Sequence, residues 1–108
     1  MKRSIIIHSH FYQPPREHAV FDEVETEASA APFHDWNQRI ERECYRAVVA
    51  ARVPGRDGRI ARLVNTLEWM SFNVGPTLFE WMERAAVDTY RLFLAADRLS
   101  VDRLGHGN

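Results

Sequence analysis

The stretch that most constrains this chain is Ile5-Ile6-Ile7-His8-Ser9-His10-Phe11-Tyr12-Gln13-Pro14-Pro15, a short β-branched run ending in two histidines, two aromatics, an amide and a double proline. Three consecutive isoleucines predict a buried strand covered on both faces, as in parallel sheets packed between helices. Pro14 and Pro15 cannot donate to a ladder and predict where it stops. In open and barrel-shaped α/β folds, ligands bind at the carboxyl ends of the strands, which makes His8, His10 and Gln13 the first candidates for chemistry. His8 and His10 are two residues apart and, on a continuing strand, point to the same side.

The remaining composition narrows the function classes. A chain of 108 residues with 45% hydrophobic content is one small globular domain at most. Its formal net charge is -1, and its arginines are interleaved with acids. That balance argues against a general nucleic-acid binder, which needs a clustered basic excess. No apolar run approaches the roughly 18 residues of a membrane span, and the isoleucine run is too short for a signal peptide. The single cysteine, Cys44, has no intramolecular disulfide partner, and this fits a reducing compartment. A cytoplasmic protein with no membrane or nucleic-acid partner is the expectation, with Cys44 acting as a small core hydrophobe.

Along the chain, residues 16 to 34 form a long connection with an acidic run, Asp22-Glu23-Val24-Glu25-Thr26-Glu27, read as a solvated face. Connections of this length without periodicity usually line a site or lack order. Asp35 with Gln38 three residues on has the form of a capping box and opens a helix ending near residue 52. Trp36, Ile40, Cys44 and Val48 predict its buried stripe. The breaker cluster Pro54-Gly55-Arg56-Asp57-Gly58 ends it. A short helix is predicted over residues 59 to 66, and Trp69-Met70-Ser71-Phe72-Asn73-Val74 alternates as a second strand. Pro76 suits the first turn of a following helix, with Leu78, Phe79 and Met82 on its apolar face. A last helix starts near Asp88 and runs toward Leu104, with Tyr90, Leu94 and Val101 on one side and Asp97 and Arg98 turned away. Gly105-His106-Gly107-Asn108 follows.

This rhythm of strand, helices, strand, helices is the opening of a parallel α/β architecture. Two parallel strands close no barrel and leave sheet edges unpaired. Residues 1 to 108 are therefore expected to be a truncated piece of a larger α/β fold, with a sheet edge open to self-association.

Several ordered blocks carry a family resemblance: Ile7-His8-Ser9-His10-Phe11-Tyr12-Gln13-Pro14-Pro15-Arg16-Glu17, Ser29-Ala30-Ala31-Pro32-Phe33-His34-Asp35-Trp36-Asn37, Glu43-Cys44-Tyr45-Arg46, Ser71-Phe72-Asn73-Val74-Gly75-Pro76-Thr77-Leu78, and the closing Gly105-His106-Gly107-Asn108. Together they resemble the N-terminal part of glycoside hydrolase family 57, in its α-amylase- and α-mannosidase-related members. The sequence departs from the family at Ala47-Val48, where Pro-Asn is usual, and around Asn65-Thr66-Leu67. The resemblance implies the first two βα units of a parallel (β/α)7-type barrel, retaining hydrolysis or transfer at α-glycosidic bonds, an α-glucan or related oligosaccharide as substrate, and no cofactor or obligatory metal. Retention needs a Glu nucleophile and an Asp acid/base about 5 to 5.5 Å apart. In the family both belong to later strands, and no acid here sits in a matching context. No catalytic residue is assigned, and the chain alone is expected to be inactive.

The same resemblance gives His8 and His10 the role of bonding sugar hydroxyls, with Tyr12 as an apolar platform. Gln13, Asn73 at the end of the second strand, and Trp36 beneath the preceding loop complete the substrate-binding candidates. His34 shares that loop, whereas His106 and Asn108 are placed by topology at the amino-terminal end of the strands. Two rival readings stand beside this one. A His-x-His pair also suits a metal-dependent polysaccharide deacetylase or mannosidase-like barrel. An exposed sheet edge also suits a stand-alone, non-catalytic interaction module.

Overall fold

In a computed structural model of the protein, which describes residues 1 to 107, the chain is mixed α/β with two short two-stranded sheets. Asn108 lies outside the described residues. Strand β1 (His8–Phe11) pairs in parallel with β4 (Ser71–Val74), so the two predicted strands are neighbours. The register sets His8 opposite Ser71, Ser9 opposite Phe72, His10 opposite Asn73 and Phe11 opposite Val74. β1 ends at Phe11, three residues before Pro14. The isoleucines, however, are not buried: Ile5, Ile6 and Ile7 are 93%, 86% and 59% exposed. Pairing starts only where Ile7 O accepts from Ser71 N at 3.1 Å, and with two strands in the sheet nothing covers the residues before it.

Between these strands the chain runs through a helix in three continuous parts, α1 (Trp36–Ile40), a π-helical turn (Glu41–Tyr45) and α2 (Arg46–Val49). Asp35 caps it as predicted, its carboxylate accepting from Gln38 N at 2.9 Å, while Gln38 Oε1 reaches back to His34 N at 2.9 Å. The buried line is Asn37, Glu41, Tyr45 and Val49, one residue out of phase with the predicted stripe, and Cys44 is exposed rather than core. Two of those four residues are polar, so hydropathy pointed to the wrong face. A strict four-residue repeat also drifts around a 3.6-residue helix, and the wider π turn returns it to line.

The helix stops at Val49 rather than near residue 52. Ala51–Pro54 (β2) and Ile60–Val64 (β3) form an antiparallel hairpin where a helix was predicted over residues 59 to 66. Asp57-Gly58 decides this: Gly58 takes φ 77, Asp57 Oδ1 accepts from Arg59 N, and Gly55 N donates to Arg59 O at 2.7 Å. An Asp-Gly turn flanked by β-branched residues favours a hairpin over a helix. A 3-10 turn (Thr66–Trp69), capped by Asn65, then leads into β4.

Helix α3 (Pro76–Ala85) starts with Pro76 in its first turn, and α4 (Val87–Leu104) ends where Gly105 turns left-handed at φ 81. Leu78, Trp81 and Met82 bury from α3; Thr89, Phe93, Ala96 and Ser100 bury from α4. Tyr90 packs against the core as expected, but Leu94 and Val101 are exposed and Asp97 is half-buried, so the α4 core face is rotated from the one expected. Phe93 is its centre, 5.2 Å from the Phe11 ring and 5.7 Å from Phe72, both edge-on. Leu67, Tyr45, Val49, Leu78 and Met82 complete the core around it. Among the described residues, no helix is long and apolar enough to cross a membrane.

Candidate functional site

The β1–β4 ribbon divides its residues by parity. Phe11 and Phe72 turn toward Phe93 and the helices. His8, His10, Ser71 and Asn73 are bonded to one another in cross-strand pairs, His8 to Ser71 and His10 to Asn73. The period of two in each strand, polar and then apolar in Ser71-Phe72-Asn73-Val74, produces this division.

The pairings fix the imidazoles. His8 Nδ1 meets Ser71 Oγ at 2.5 Å, and His10 Nδ1 meets Asn73 Oδ1 at 2.8 Å. With the amide oxygen as acceptor, a neutral His10 carries its proton on Nδ1 and keeps the Nε2 lone pair for an outside donor. The two rings lie edge to face with centroids 4.7 Å apart. Both histidines and Asn73 are exposed. Ser71 was not among the sequence candidates; only the register, which sets it opposite His8, brings it in. The ring pair offers two nitrogens to a cation, but no group of three His, Cys, Asp or Glu side chains gathers among the described residues.

Beyond the strand end, Tyr12 is 62% exposed. Gly75 makes room for its ring: a Cβ there would lie 2.9 Å from Tyr12 Cδ2. Gly75 N also donates to Phe11 O at 2.8 Å, and Thr77 Oγ1 donates to Gln13 O at 2.9 Å, which ties the two strand ends together.

Gln13 is committed inward. Its Nε2 donates to Tyr45 Oη at 3.1 Å and its Oε1 accepts from Arg16 Nη2 at 3.1 Å. Arg16 is the hub of a half-buried network, donating from Nε to Asn37 Oδ1 at 3.2 Å and from Nη1 to Glu27 Oε2 at 3.2 Å. Glu27 Oε1 in turn accepts from Trp36 N at 3.3 Å. Of the acidic run, Glu27 is thus structural, while Asp22, Glu23 and Glu25 are solvated. Burial pushes the Tyr45 phenol above its ordinary value, with the Gln13 hydrogen bond opposing. Neither Arg16 nor Tyr45 stood out in the sequence; the signal was Arg16 directly after the double proline, where a turning chain needs a donor-rich side chain to hold it.

Trp36 is half-buried, with Nε1 donating to Ser29 Oγ at 2.8 Å and the Arg39 guanidinium 5.0 Å from the ring centroid. His34 Nδ1 lies 2.8 Å from Asp35 Oδ2. His34 closes the 16–34 connection, and Trp36 opens α1 and bonds back to Ser29 within it. His106 lines a groove with the isoleucine run, Trp69 and Met70, at the opposite end of the strands from Tyr12. Comparison with protein-family models, with curated proteins and with solved structures finds no match.

Proposed function

We propose that this chain supplies the sugar-binding wall of a family-57-like retaining enzyme acting on α-glycosidic bonds, as the first two βα units of its (β/α)7 barrel. The observation that carries the proposal is the division of the β1–β4 ribbon, with an aromatic face packed on helices and an opposite face of His8, His10, Ser71 and Asn73. In a barrel the helix-covered face is the outside and the other lines the interior, where ligand binds near the carboxyl ends of the strands. Imidazole Nε2 atoms held by cross-strand partners are preorganised for sugar hydroxyls, and the exposed Tyr12 ring offers an apolar surface to a sugar's C–H face. The chain's own contribution is orientation, which lowers the entropic barrier without proton transfer. Gln13 serves one step removed: held by Arg16, it donates to Tyr45 Oη, which in turn donates to the Tyr12 backbone carbonyl at 3.5 Å.

Calorimetric titration of the chain with maltoheptaose tests this. The expected result is saturable binding that His10→Ala and Tyr12→Ala each weaken about tenfold or more, with no response to a β-1,4-linked oligosaccharide. Binding unaffected by both substitutions would overturn it.

A further inference from the structure

A second concave feature lies where the π-helical turn and α2 meet the β2–β3 hairpin. A depression of about 500 Å³ is lined by Arg42, Arg46, Ala47, Ala50, Arg52 and Leu63. Its floor is aliphatic and its polar groups are three guanidiniums. Two of these are held from behind. Glu41 is 2% exposed and accepts from Thr89 Oγ1 at 2.6 Å and from Arg46 Nε at 3.2 Å on one oxygen, while Arg42 Nε lies 3.5 Å from the other. The carboxylate engages each arginine through Nε, so the terminal nitrogens are not committed to Glu41. Arg42 and Arg46 are about half exposed. Arg52, from β2, has no hydrogen-bond or ion-pair partner among the described residues and shares its ribbon face with Leu63, its cross-strand partner.

A buried acid costs free energy, and a surface pair of arginines needs no such anchor to stay solvated. The arrangement makes sense as a device that fixes two guanidiniums one helical turn apart and leaves the third unneutralised, for a local charge of about +2. The widened π turn sends Glu41 inward while Arg42 and Arg46 stay on the outer face.

We propose that this depression binds a phosphate group, free or esterified to a small organic body that rests on Ala47, Ala50 and Leu63. Planar forks converging on one volume match the oxygens of a phosphate, and the cavity holds one small ligand rather than a polymer. The site is independent of the sugar-binding wall and stands or falls separately.

The test is a titration of the full 108-residue chain at constant ionic strength with inorganic phosphate and with glucose 1-phosphate, followed by arginine Nε–H signals in NMR. Saturable shifts at Arg42, Arg46 and Arg52 are expected, with Arg52→Gln weakening binding about tenfold, the scale of one charged hydrogen-bonding group. Arg56→Gln, at the hairpin tip outside the depression, is expected to leave affinity within about twofold. Tighter binding of the ester identifies the aliphatic floor as part of the site, and equal affinity identifies the free anion as its ligand. Absence of saturation with either compound overturns the proposal. So does an affinity that falls as much in Arg56→Gln as in Arg52→Gln, since that would be diffuse attraction to a basic hairpin.

Discussion

On β1, Phe11 is 8% exposed and packs edge-on against the rings of Tyr45, Phe72 and Phe93, whereas His10, one residue earlier, is exposed and hydrogen-bonded to Asn73. Adjacent residues of one strand thus belong to two environments. The helix-facing side concentrates apolar burial, at roughly 25 cal/mol per Å² removed from water. The polar side spends four side chains on pairs that bury little. Residues kept off the stabilising face are free to be chosen for chemistry, and a strand is the shortest element that separates the two tasks.

The comparison predicts effects that differ in kind as well as size. The largest belongs to the aromatic face: Phe93→Ala is expected to cost about 3 to 5 kcal/mol in urea unfolding, because the rings of Phe11, Phe72 and Phe79 lose a shared neighbour. Next is the network that joins the two sides. Arg16→Met removes donors from Gln13, Asn37 and Glu27 and is expected to cost about 2 kcal/mol.

Tyr45→Phe is expected to cost about 1 kcal/mol at neutral pH through the lost Gln13 bond. It also carries a pH signature. The folded state holds the phenol proton more tightly than the unfolded chain, where it leaves near pH ~10. That stability is complete below the unfolded value and is lost as pH rises through the folded one. Wild type is expected to lose stability in that alkaline window, and the variant to lose less, as read by urea midpoints on either side of about pH 10. The smallest stability effect belongs to the polar face: His8→Ala and His10→Ala are expected to stay within about 0.5 kcal/mol of wild type. A cost comparable to Phe93→Ala would erase the distinction between the faces.

Much of the ribbon could be read from residue types, because proline, alternation and a helix-starting Pro76 are local signals. The parallel strand pair, the Asp35 cap and the last two helices follow from them. What could not be read is where polar residues do the packing. Asn37 and Glu41 occupy the inward line of the central helix and are held there by Arg16 and Thr89, so hydropathy selected Trp36, Ile40, Cys44 and Val48 instead. The hairpin was missed because its strands are exposed and carry arginine, leaving Asp57-Gly58 as the one strong signal. Ile5, Ile6 and Ile7 carry strand propensity, but burial depends on neighbours that a two-stranded sheet does not provide. Of the candidate site, His8 and His10 were legible from their spacing. Ser71 needed the register, and the inward commitment of Gln13 needed the fold.

The central proposal is that the polar face, and not the aromatic one, meets an α-glucan. The most direct measurement is a titration of the chain with maltoheptaose followed by the imidazole signals of His8 and His10 together with the ring signals of Phe11 and Phe93. Saturable shifts are expected at both histidines, with Phe11 and Phe93 unmoved. Shifts at the phenylalanines without the histidines, or no saturable shift at either histidine, would contradict it.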